Sequence, residues 1–526
     1  MTRQKLVPGR GHPFAAMDIR SLIHYRAEAT GDRPFIIWEP FVGEGLTWTY
    51  RAFADRAARF AAGLHRRRVK PGDRVLVHLD NCPEAILSWL GCAYAGAVAV
   101  TTNARSSAEE LTYYAAHSRA VAAITQPRFA ELVGRSCPDL GWIAVTDTDN
   151  GEDAGANRPQ AEARFAAIDA DPADLPARPH DPLAPFSIQF TSGTTSRPKA
   201  VLWTHANALW GAKVNAVHED LRSEDVHMVT MPLFHTNAQA YSVLAALWAG
   251  AGCVVQPRFS ASRFWPVSLK HGCTWASMIP FACKALMAHE VPPAHSYRLW
   301  GNGVCEAPWD AHFRIKTLGW WGMTETITHG TIGEVRGYNR SMSMGRCAPE
   351  YQVKIVDGNG AELGPGETGD FLIRGIPGLS LFAEYADNET ATRDAFTEDG
   401  YFITGDRVTL AEDGFFIFAD RSKDMLKVGG ENVAASEIER VILTVPGISE
   451  VAVVAQKHPM LDEVPVAFVL PLADNDVAPD FAETILAACR AQLADFKVPR
   501  EVRVVSELPR STLEKIAKAE LRKLLV

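Results

Sequence analysis

What this chain lacks narrows its function before any motif is considered. No segment is long and apolar enough to span a bilayer, and the N-terminus, MTRQKLVPGRGHPF, has no apolar signal core. The most apolar stretch, AILSWLGCAYAGAVAV, is short and rich in small residues, which fits a buried helix running into a strand. No CxxC pair occurs: the nine cysteines are scattered, odd in number and without metal-ligand spacing. That usage fits a reduced cytoplasmic enzyme and offers no disulfide framework. Basic residues are not in excess, 53 against 62 acidic for a net charge of −9, which argues against an electrostatic nucleic-acid binder but not against a small anionic ligand. There is no GxxxxGK[ST] phosphate loop, and HEVPPAH has the wrong spacing for the HExxH pair of a metal hydrolase. No internal repeat is evident.

What is present is a large soluble core. At 526 residues, 47% hydrophobic and 22% charged, the chain should form two or more globular domains. The first third alternates strand and helix signals: LTWTY, the amphipathic RAFADRAARFAAGLHRRR, RVLVHL, PEAILSWLGCAYAG capped by Asn81 or a neighbour, AVAVTT, SAEELTYYAAHS capped by Ser107, and AVAAIT. Continuous apolar strands in that order predict an α/β fold of largely parallel sheets covered by helices on both faces. Residues 148–185 are acidic, Ala-rich and Pro-rich and read as a surface excursion. Near residue 420 the texture changes. YFITGDRVTLAEDGFFIFADRSKD reads as a small meander, and a further hundred or so residues suffice for a small α+β domain. The boundary is expected within ADRSKDM, giving domains 1–422 and 423–526 around Lys423.

The segment FTSGTTSRPKAV follows the apolar strand PFSIQF and concentrates five hydroxyls, a glycine and two cations. Hydroxyls, backbone N–H groups and a lysine at a strand end form a cradle for phosphate oxygens. Four further segments stand out: MPLFHTNAQ with His235, GWWGMTETITHG with Thr324 and Glu325, TGD at Thr404 to Asp406 with Arg421 beyond it, and LPRSTLEKIAKAEL with Lys515. Each alone has a plain structural reading, as a core histidine, core tryptophans, a turn aspartate or a solvated lysine.

Their order resembles the adenylate-forming superfamily of acyl-CoA synthetases, luciferases and peptide-synthetase adenylation domains. FTSGTTSRPKAV is similar to its phosphate loop, WGMTE to its adenine and magnesium motif, and YFITGD to its ribose motif. DRSKDMLKVGGENVAASEIE is similar to its hinge and early C-terminal motif, and PRSTLEK to its terminal lysine motif. HLDNCPE, MPLFH and KVGGENV look most like the crotonobetaine/carnitine-CoA ligase branch. The resemblance implies a large N-terminal domain and a small mobile C-terminal one. It also implies two half-reactions: a carboxylate attacks ATP to give an acyl-adenylate and pyrophosphate, then the CoA thiol displaces AMP.

By the same resemblance, Thr191, Ser192, Gly193, Thr194, Thr195 and Lys199 hold the β- and γ-phosphates of ATP. Thr324 contacts the α-phosphate, Glu325 ligates Mg²⁺, and Trp321, where the family usually has tyrosine, stacks on adenine beside Gly322. Asp406 and Arg421 take the ribose, and Lys515 stabilises charge during adenylation. Lys423 is the hinge; Lys427, Gly429, Gly430 and Glu431 enter the site for thioester formation, with Gly430 leaving room for the pantetheine arm. His235 gates the junction of acyl pocket and CoA tunnel. Ser196, Ala200 and Glu514 replace family glycines. The acyl pocket is expected among His235, Asn237, Gln239, Trp300, Asn302, Gly303, Trp320 and Thr328.

No acidic residue in those segments clearly answers a cationic substrate, Glu306 being the nearest, which leans the expectation towards a neutral, medium-sized acid. The expected partners are a small carboxylic acid, ATP and CoA, with a homodimer by family habit and neither nucleic acid nor membrane span. Two other readings stay open: an adenylating enzyme that loads a carrier protein in trans, and a non-catalytic nucleotide-binding protein on the same scaffold.

Overall fold

The alternating apolar segments of the first third become the centre of an eight-stranded sheet. Its order is Glu384–Tyr385, Ala200–Thr204, Pro185–Phe190, Val98–Thr101, Arg74–His78, Ala120–Thr125, Ile143–Val145 and Ala163–Arg164. From Pro185–Phe190 onward the neighbours run parallel, as expected of strands buried on both faces. Ala200–Thr204 turns back antiparallel on Pro185–Phe190, so the hydroxyl-rich segment connects these two strands. Leu76, Val98, Val100, Ile188 and Leu202 pack one face against helix Ala108–Ser118. Ser107 caps that helix with a reciprocal bond to Glu110. The computed structural model describes residues 12–149, 152–153, 163–191, 198–421, 425–428, 431–459, 461–472, 480–493, 495–510 and 516–525.

A second, nine-stranded sheet runs Arg346–Cys347, Thr331–Ile332, Lys316–Trp321, Leu299–Asn302, Trp275–Ser277, Val226–Val229, Gly252–Val255, Pro34–Trp38 and Leu46–Thr49. Asn81 ties the segment after Leu79 to this sheet. Its Nδ2 donates to the carbonyls of Met231 (2.9 Å) and Gln256 (3.1 Å), and its Oδ1 accepts from Leu233 N (2.7 Å). The cap of helix Pro83–Ala95 falls instead to Cys82, which makes no side-chain cap bond; Pro83 opens the first turn.

Both sheets lie in one compact unit, made of the chain up to Thr191, Pro198–Gln352 and Arg374–Gly400. A second unit takes Val353–Ile373 and the chain from Tyr401 onward. It holds the antiparallel pair Phe402–Leu410 and Phe416–Arg421, as the meander reading expects, with most of Thr368–Arg374 beside them. It also holds a five-stranded sheet built on the long hairpin of Ile448–His458 and Asp462–Pro471. Helix Ala435–Ile442 packs Ile438, Val441 and Ile442 into the core of that sheet. Lys423, where the sequence places the hinge, is outside the described residues. No helix among the described residues is long and apolar enough to cross a membrane.

Residues 148–185 do more than skirt the surface. They supply the edge strand Ala163–Arg164 and the Arg178 and His180 side chains of a buried clamp on Asp18. Asp18 caps helix Ile19–Ala29, accepting from Ser21 N at 3.0 Å. It also pairs with Arg178 at 3.1 Å and His180 at 2.8 Å while Arg178 binds the carbonyls of Ala93 and Tyr94. Burial alone would raise the Asp18 carboxyl, but the charge of His205, the bonds from His180 and Ser21, and the charge of Arg178 outweigh it and hold it below the ordinary value. A carboxyl depressed in the folded state stabilises fully above its unfolded pKa of about 4 and loses that contribution as pH falls through the folded value. Asp18→Ala should therefore cost about 3 kcal/mol near neutral pH, the scale for breaking a buried pair. The gap in melting temperature between wild type and variant should close from pH 6 towards pH 3; a gap independent of pH would contradict the clamp.

Candidate active site

The segment Trp321–Thr328 leaves the end of strand Lys316–Trp321 and makes a tight turn. Ile327 sits there at φ +56°, a conformation that costs a β-branched residue of order 1–3 kcal/mol and persists only where its surroundings impose it. They do. Five consecutive carbonyls of the turn each accept a hydrogen bond: Thr324 O from the Trp203 indole (2.8 Å), Glu325 O from Phe382 N (2.7 Å) and Thr326 O from the Tyr351 hydroxyl (2.8 Å). Ile327 O accepts from Asn215 Nδ2 (3.2 Å) and Thr328 O from the Thr326 hydroxyl (3.0 Å). Gly211, Asn215 and His218 recur every three or four residues along helix His205–His218 and present one face to the turn. A methyl group at Gly211 would press on the Ile327 side chain.

From Thr324 a buried polar chain runs into the eight-stranded sheet. The Thr236 hydroxyl lies 3.3 Å from Thr324 Oγ1 and donates to Gln189 Oε1 at 2.8 Å. Gln189 Nε2 donates to Gln239 Oε1, and Gln239 Nε2 reaches Leu233 O (2.7 Å) and Thr101 Oγ1 (3.3 Å). Gln189, Thr236, Gln239 and Thr101 are all buried. Each amide has both ends engaged, so the chain holds Thr324 in place without an orphaned group. Gln239 lies in Asn237–Leu244, a stretch wound with the wider π-helix turn, which recurs at functional sites.

Lys199 and Glu325 are brought together by Tyr385. The Lys199 ammonium stands 4.6 Å from the centre of the Tyr385 ring, and the Tyr385 hydroxyl donates to Glu325 Oε1 at 2.9 Å. Burial and the Glu325 charge push the Tyr385 phenol up, so it remains a donor. Thr191 N donates to Lys199 O at 3.0 Å, closing the base of the hydroxyl-rich segment. Ser192, Gly193, Thr194 and Thr195 lie outside the described residues, as do Gly429, Gly430 and Lys515. Lys427, Glu431 and Arg421 fall on described strands, with Arg421 in register opposite Asp406. Asp406, in the second unit, is buried and turned by Gly405 at φ +73°; its N–H donates to Thr404 Oγ1 (3.1 Å).

The residues expected to line an acyl pocket divide. Trp300 is fully buried in an aromatic core with Phe264, Trp265, Tyr297 and Phe313, so its side chain is a core group rather than a pocket wall. The Thr328 hydroxyl is occupied by Tyr351 at 2.6 Å. Asn302 is buried, its Oδ1 accepting from Gly303 N (2.7 Å), while a side chain at Gly303 would meet open space. His235 is half-buried with its ring 5.0 Å from that of Phe234, and Asn237 opens the π-helix. Trp320 is buried between Trp275, stacked at 5.8 Å, and His329, at 4.4 Å; the absence of a side chain at Gly301 makes room for its ring. Trp321 is buried at the strand end, and Gly322 lets the Tyr241 hydroxyl approach the backbone.

Glu306, the acidic residue nearest these segments in sequence, is exposed. Glu219, one residue beyond helix His205–His218, is fully buried 3.6 Å from His329 Nε2. His329 Nδ1 faces His218 Nδ1 at 3.3 Å, and His218 Nε2 faces Glu350 at 3.2 Å. Burial pushes Glu219 well up, while burial and the neighbouring His218 push His329 well down. Of these four residues only His329 lies in a segment that the sequence singles out, GWWGMTETITHG; Glu219, His218 and Glu350 lie in none. Gln189 did leave a trace, as a polar residue inside the otherwise buried strand PFSIQF.

The approach at Gly322 gives a direct test. Gly322→Ala would drive a methyl group into the Tyr241 hydroxyl and Thr328 O. Overpacking of this kind costs about 1–3 kcal/mol. ATP-dependent product formation should fall at least about tenfold, the rate equivalent of 1.4 kcal/mol. Adding Tyr241→Phe should recover part of it; full activity in Gly322→Ala would contradict the close approach.

With this geometry in hand, comparison with known proteins is informative. Residues 23–385 match the AMP-binding enzyme family, and residues 437–515 match the AMP-binding enzyme C-terminal domain. Crotonobetaine/carnitine–CoA ligase of Escherichia coli O139:H28 is 34% identical over 515 residues, covering 94% of this chain and 97% of that protein. The protein of the same name from Salmonella paratyphi A is 34% identical over 520 residues, covering 96% and 99%. Among solved structures, anthranilate CoA ligase AuaEII with anthranoyl-AMP superposes with a TM-score of 0.85 at 23% identity, covering 98% of each chain. ATP-bound MatB from Rhodopseudomonas palustris superposes with a TM-score of 0.82 at 24% identity, covering 97% of this chain and 99% of that one. The multi-sheet α/β architecture, a large N-terminal domain with a small C-terminal one, is that of these adenylate-forming enzymes. The chain belongs to the AMP-binding enzyme family, in its branch of AMP-forming acyl-CoA ligases.

Proposed function

We propose that this ligase activates a small carboxylic acid through an acyl-adenylate and passes the acyl group to CoA, with the residues of the turn, the hydroxyl-rich segment and the C-terminal lysine in the roles the family motifs assign. The observation that carries this reading is the meeting of Lys199, Tyr385 and Glu325 beside a turn whose carbonyls from Thr324 to Thr328 are all bonded. A cation for phosphate oxygens and a carboxylate for a hard metal ion are thereby held in one place.

In the first half-reaction a carboxylate oxygen attacks the α-phosphorus of ATP and pyrophosphate leaves. The protein's share is positioning and charge stabilisation. Thr324, fixed through Thr236 and Gln189, orients the α-phosphate; Lys199 and the hydroxyls from Thr191 to Thr195 hold the outgoing pyrophosphate. Magnesium ion fits this donor set. Glu325 supplies one buried carboxylate, and no cluster of three or more acidic, histidine or cysteine side chains among the described residues could cage an ion without the nucleotide. When bound, it would neutralise charge on the phosphates. Trp321 stacks on adenine, and Asp406 with Arg421 takes the ribose.

Lys515 reaches the carboxylate and α-phosphate during adenylation. Rotation about Lys423 then replaces it with the Lys427–Glu431 loop, and the CoA thiol displaces AMP past His235. The chain is further read as cytoplasmic, from its scattered unpaired cysteines, and as a homodimer.

Mass spectrometry of reactions with ATP, Mg²⁺, CoA and a panel of aliphatic, alicyclic, aryl and betaine-type acids should show an acyl-CoA appearing together with AMP. Acyl-adenylate without thioester would point to a carrier protein as acceptor. Lys515→Ala should lower adenylate formation about 10²–10³-fold while leaving thioester formation from supplied acyl-adenylate largely intact. Gly430→Leu should do the reverse. Equal loss of both half-reactions in either variant would overturn its assigned role.

A further inference from the structure

We propose that Tyr385 is a positioning residue for adenylation: its hydroxyl aims the Glu325 carboxylate at the metal ion that accompanies ATP, and its ring face holds the Lys199 ammonium towards the phosphates. The proposal rests on the acyl-CoA ligase reading, and within it on Glu325 as a metal ligand.

The fold delivers this side chain through a strand pairing. Glu384–Tyr385 lies at the edge of the eight-stranded sheet, antiparallel to Ala200–Thr204, with Tyr385 opposite Val201. Backbone bonds on either side lock the register, Ala383 N to Leu202 O at 2.9 Å and Ala386 N to Ala200 O at 2.8 Å. Lys199 is the residue immediately before that partner strand, so the same pairing sets the phenol ring beside the ammonium, 4.6 Å from the ring centre. Tyr385 is buried, its N–H donates to Thr392 Oγ1 at 3.0 Å, and its ring packs on that of Phe382 at 4.7 Å. A ring held this way has little freedom to turn.

Glu325 is held at two points by the segment that carries this ring. Phe382 N donates to the Glu325 carbonyl at 2.7 Å, and the Tyr385 hydroxyl donates to Oε1 at 2.9 Å. The first bond fixes the residue's backbone and the second the direction of its carboxylate. Magnesium demands near-ideal geometry from the few protein oxygens it takes, so a partner that orients such a ligand governs how well the ion binds.

Lys199 is held by a weaker force, which suits its role. A direct pair between the lysine and Glu325 would tie each charge to the other and oppose its use by phosphate or metal. Tyr385 engages the two charges through different parts of one side chain, the hydroxyl and the face. An ammonium carries three donors, so it can rest on a ring face and still meet phosphate oxygens.

The test is calorimetry of ATP binding to the full chain without acid or CoA, once with saturating Mg²⁺ and once in EDTA. Wild type should bind ATP more tightly with Mg²⁺, and the ratio of the two affinities is the readout. Tyr385→Phe keeps the ring and its packing and loses only the hydroxyl. It should lower the ratio about 10–100-fold, the usual effect of losing a partner that orients a metal ligand, with affinity in EDTA unchanged. Glu325→Gln should lower the ratio likewise, and adding Tyr385→Phe to it should change little more, because the phenol acts through that carboxylate. Tyr385→Leu removes the ring face as well and should also weaken binding in EDTA about two- to fivefold, the equivalent of one cation–π contact.

An unchanged ratio in Tyr385→Phe beside a metal-dependent wild type overturns the proposal and leaves the ligase reading intact. Equal loss with and without Mg²⁺ overturns it too, since that marks a merely structural tyrosine. Unweakened binding of Tyr385→Leu in EDTA removes the part assigned to the ring face. Wild-type binding indifferent to Mg²⁺ would strike the metal role of Glu325 and this proposal together.

Discussion

The turn from Thr324 to Thr328 is the constraint on which the rest of the candidate site depends. Four of its five adjacent carbonyls take their hydrogen bonds from other parts of the chain, Trp203 in a strand, Asn215 in a helix, and Tyr351 and Phe382 in later loops, and the fifth takes its bond from Thr326 within the turn. A buried carbonyl without a partner is costly, so the turn cannot relax without opening several such losses at once. That over-determination holds Ile327 in a left-handed conformation and keeps Thr324 and Glu325 at fixed positions. A site meant to stabilise charge on phosphorus needs donors that do not reorganise during reaction. Rigidity here comes largely from the surrounding strand, helix and loops, with Thr326 adding bonds within the turn.

The two large sheets are coupled to this turn by polar rather than apolar contacts. Gln189 and Thr101 belong to the eight-stranded sheet, whereas Thr324 follows a strand of the nine-stranded one. Hydrophobic packing is non-directional and would tolerate a small slip between layers. A chain of amides and hydroxyls does not, because each bond has a narrow geometry. Asn81 adds a second directional tie, at Met231, Leu233 and Gln256.

Much of this was legible in the sequence, for reasons that differ by residue. The parallel strands were visible because they are buried on both faces and read as continuous apolar runs, and Ser107 was visible because a capping box is a local pattern. Lys199, Thr324 and Glu325 could be named because they sit in motifs of fixed spacing, although their meeting through Tyr385 could not. Trp300 was misjudged as a pocket wall because a tryptophan looks the same in sequence whether it lines a cavity or fills a core. Glu219, His218 and Glu350 were missed, although His329 lies in the singled-out GWWGMTETITHG, because their relation is wholly tertiary: Glu219 and Glu350 are 131 positions apart and carry no shared pattern.

The π-wound stretch Asn237–Leu244 has an implication for how this scaffold can change. A π turn is in effect an α-helix that has accepted one extra residue. Removing a single residue from it would restore ordinary winding and rotate everything downstream by about 100°, carrying Tyr241 away from Gly322 while leaving Gln239 and its amide chain nearly untouched. One insertion or deletion at this place therefore redraws the contacts beside Gly322 without disturbing the chain that holds Thr324. Length variation, more than point substitution, is the economical path by which a lineage built on this chain could reshape that side of the turn.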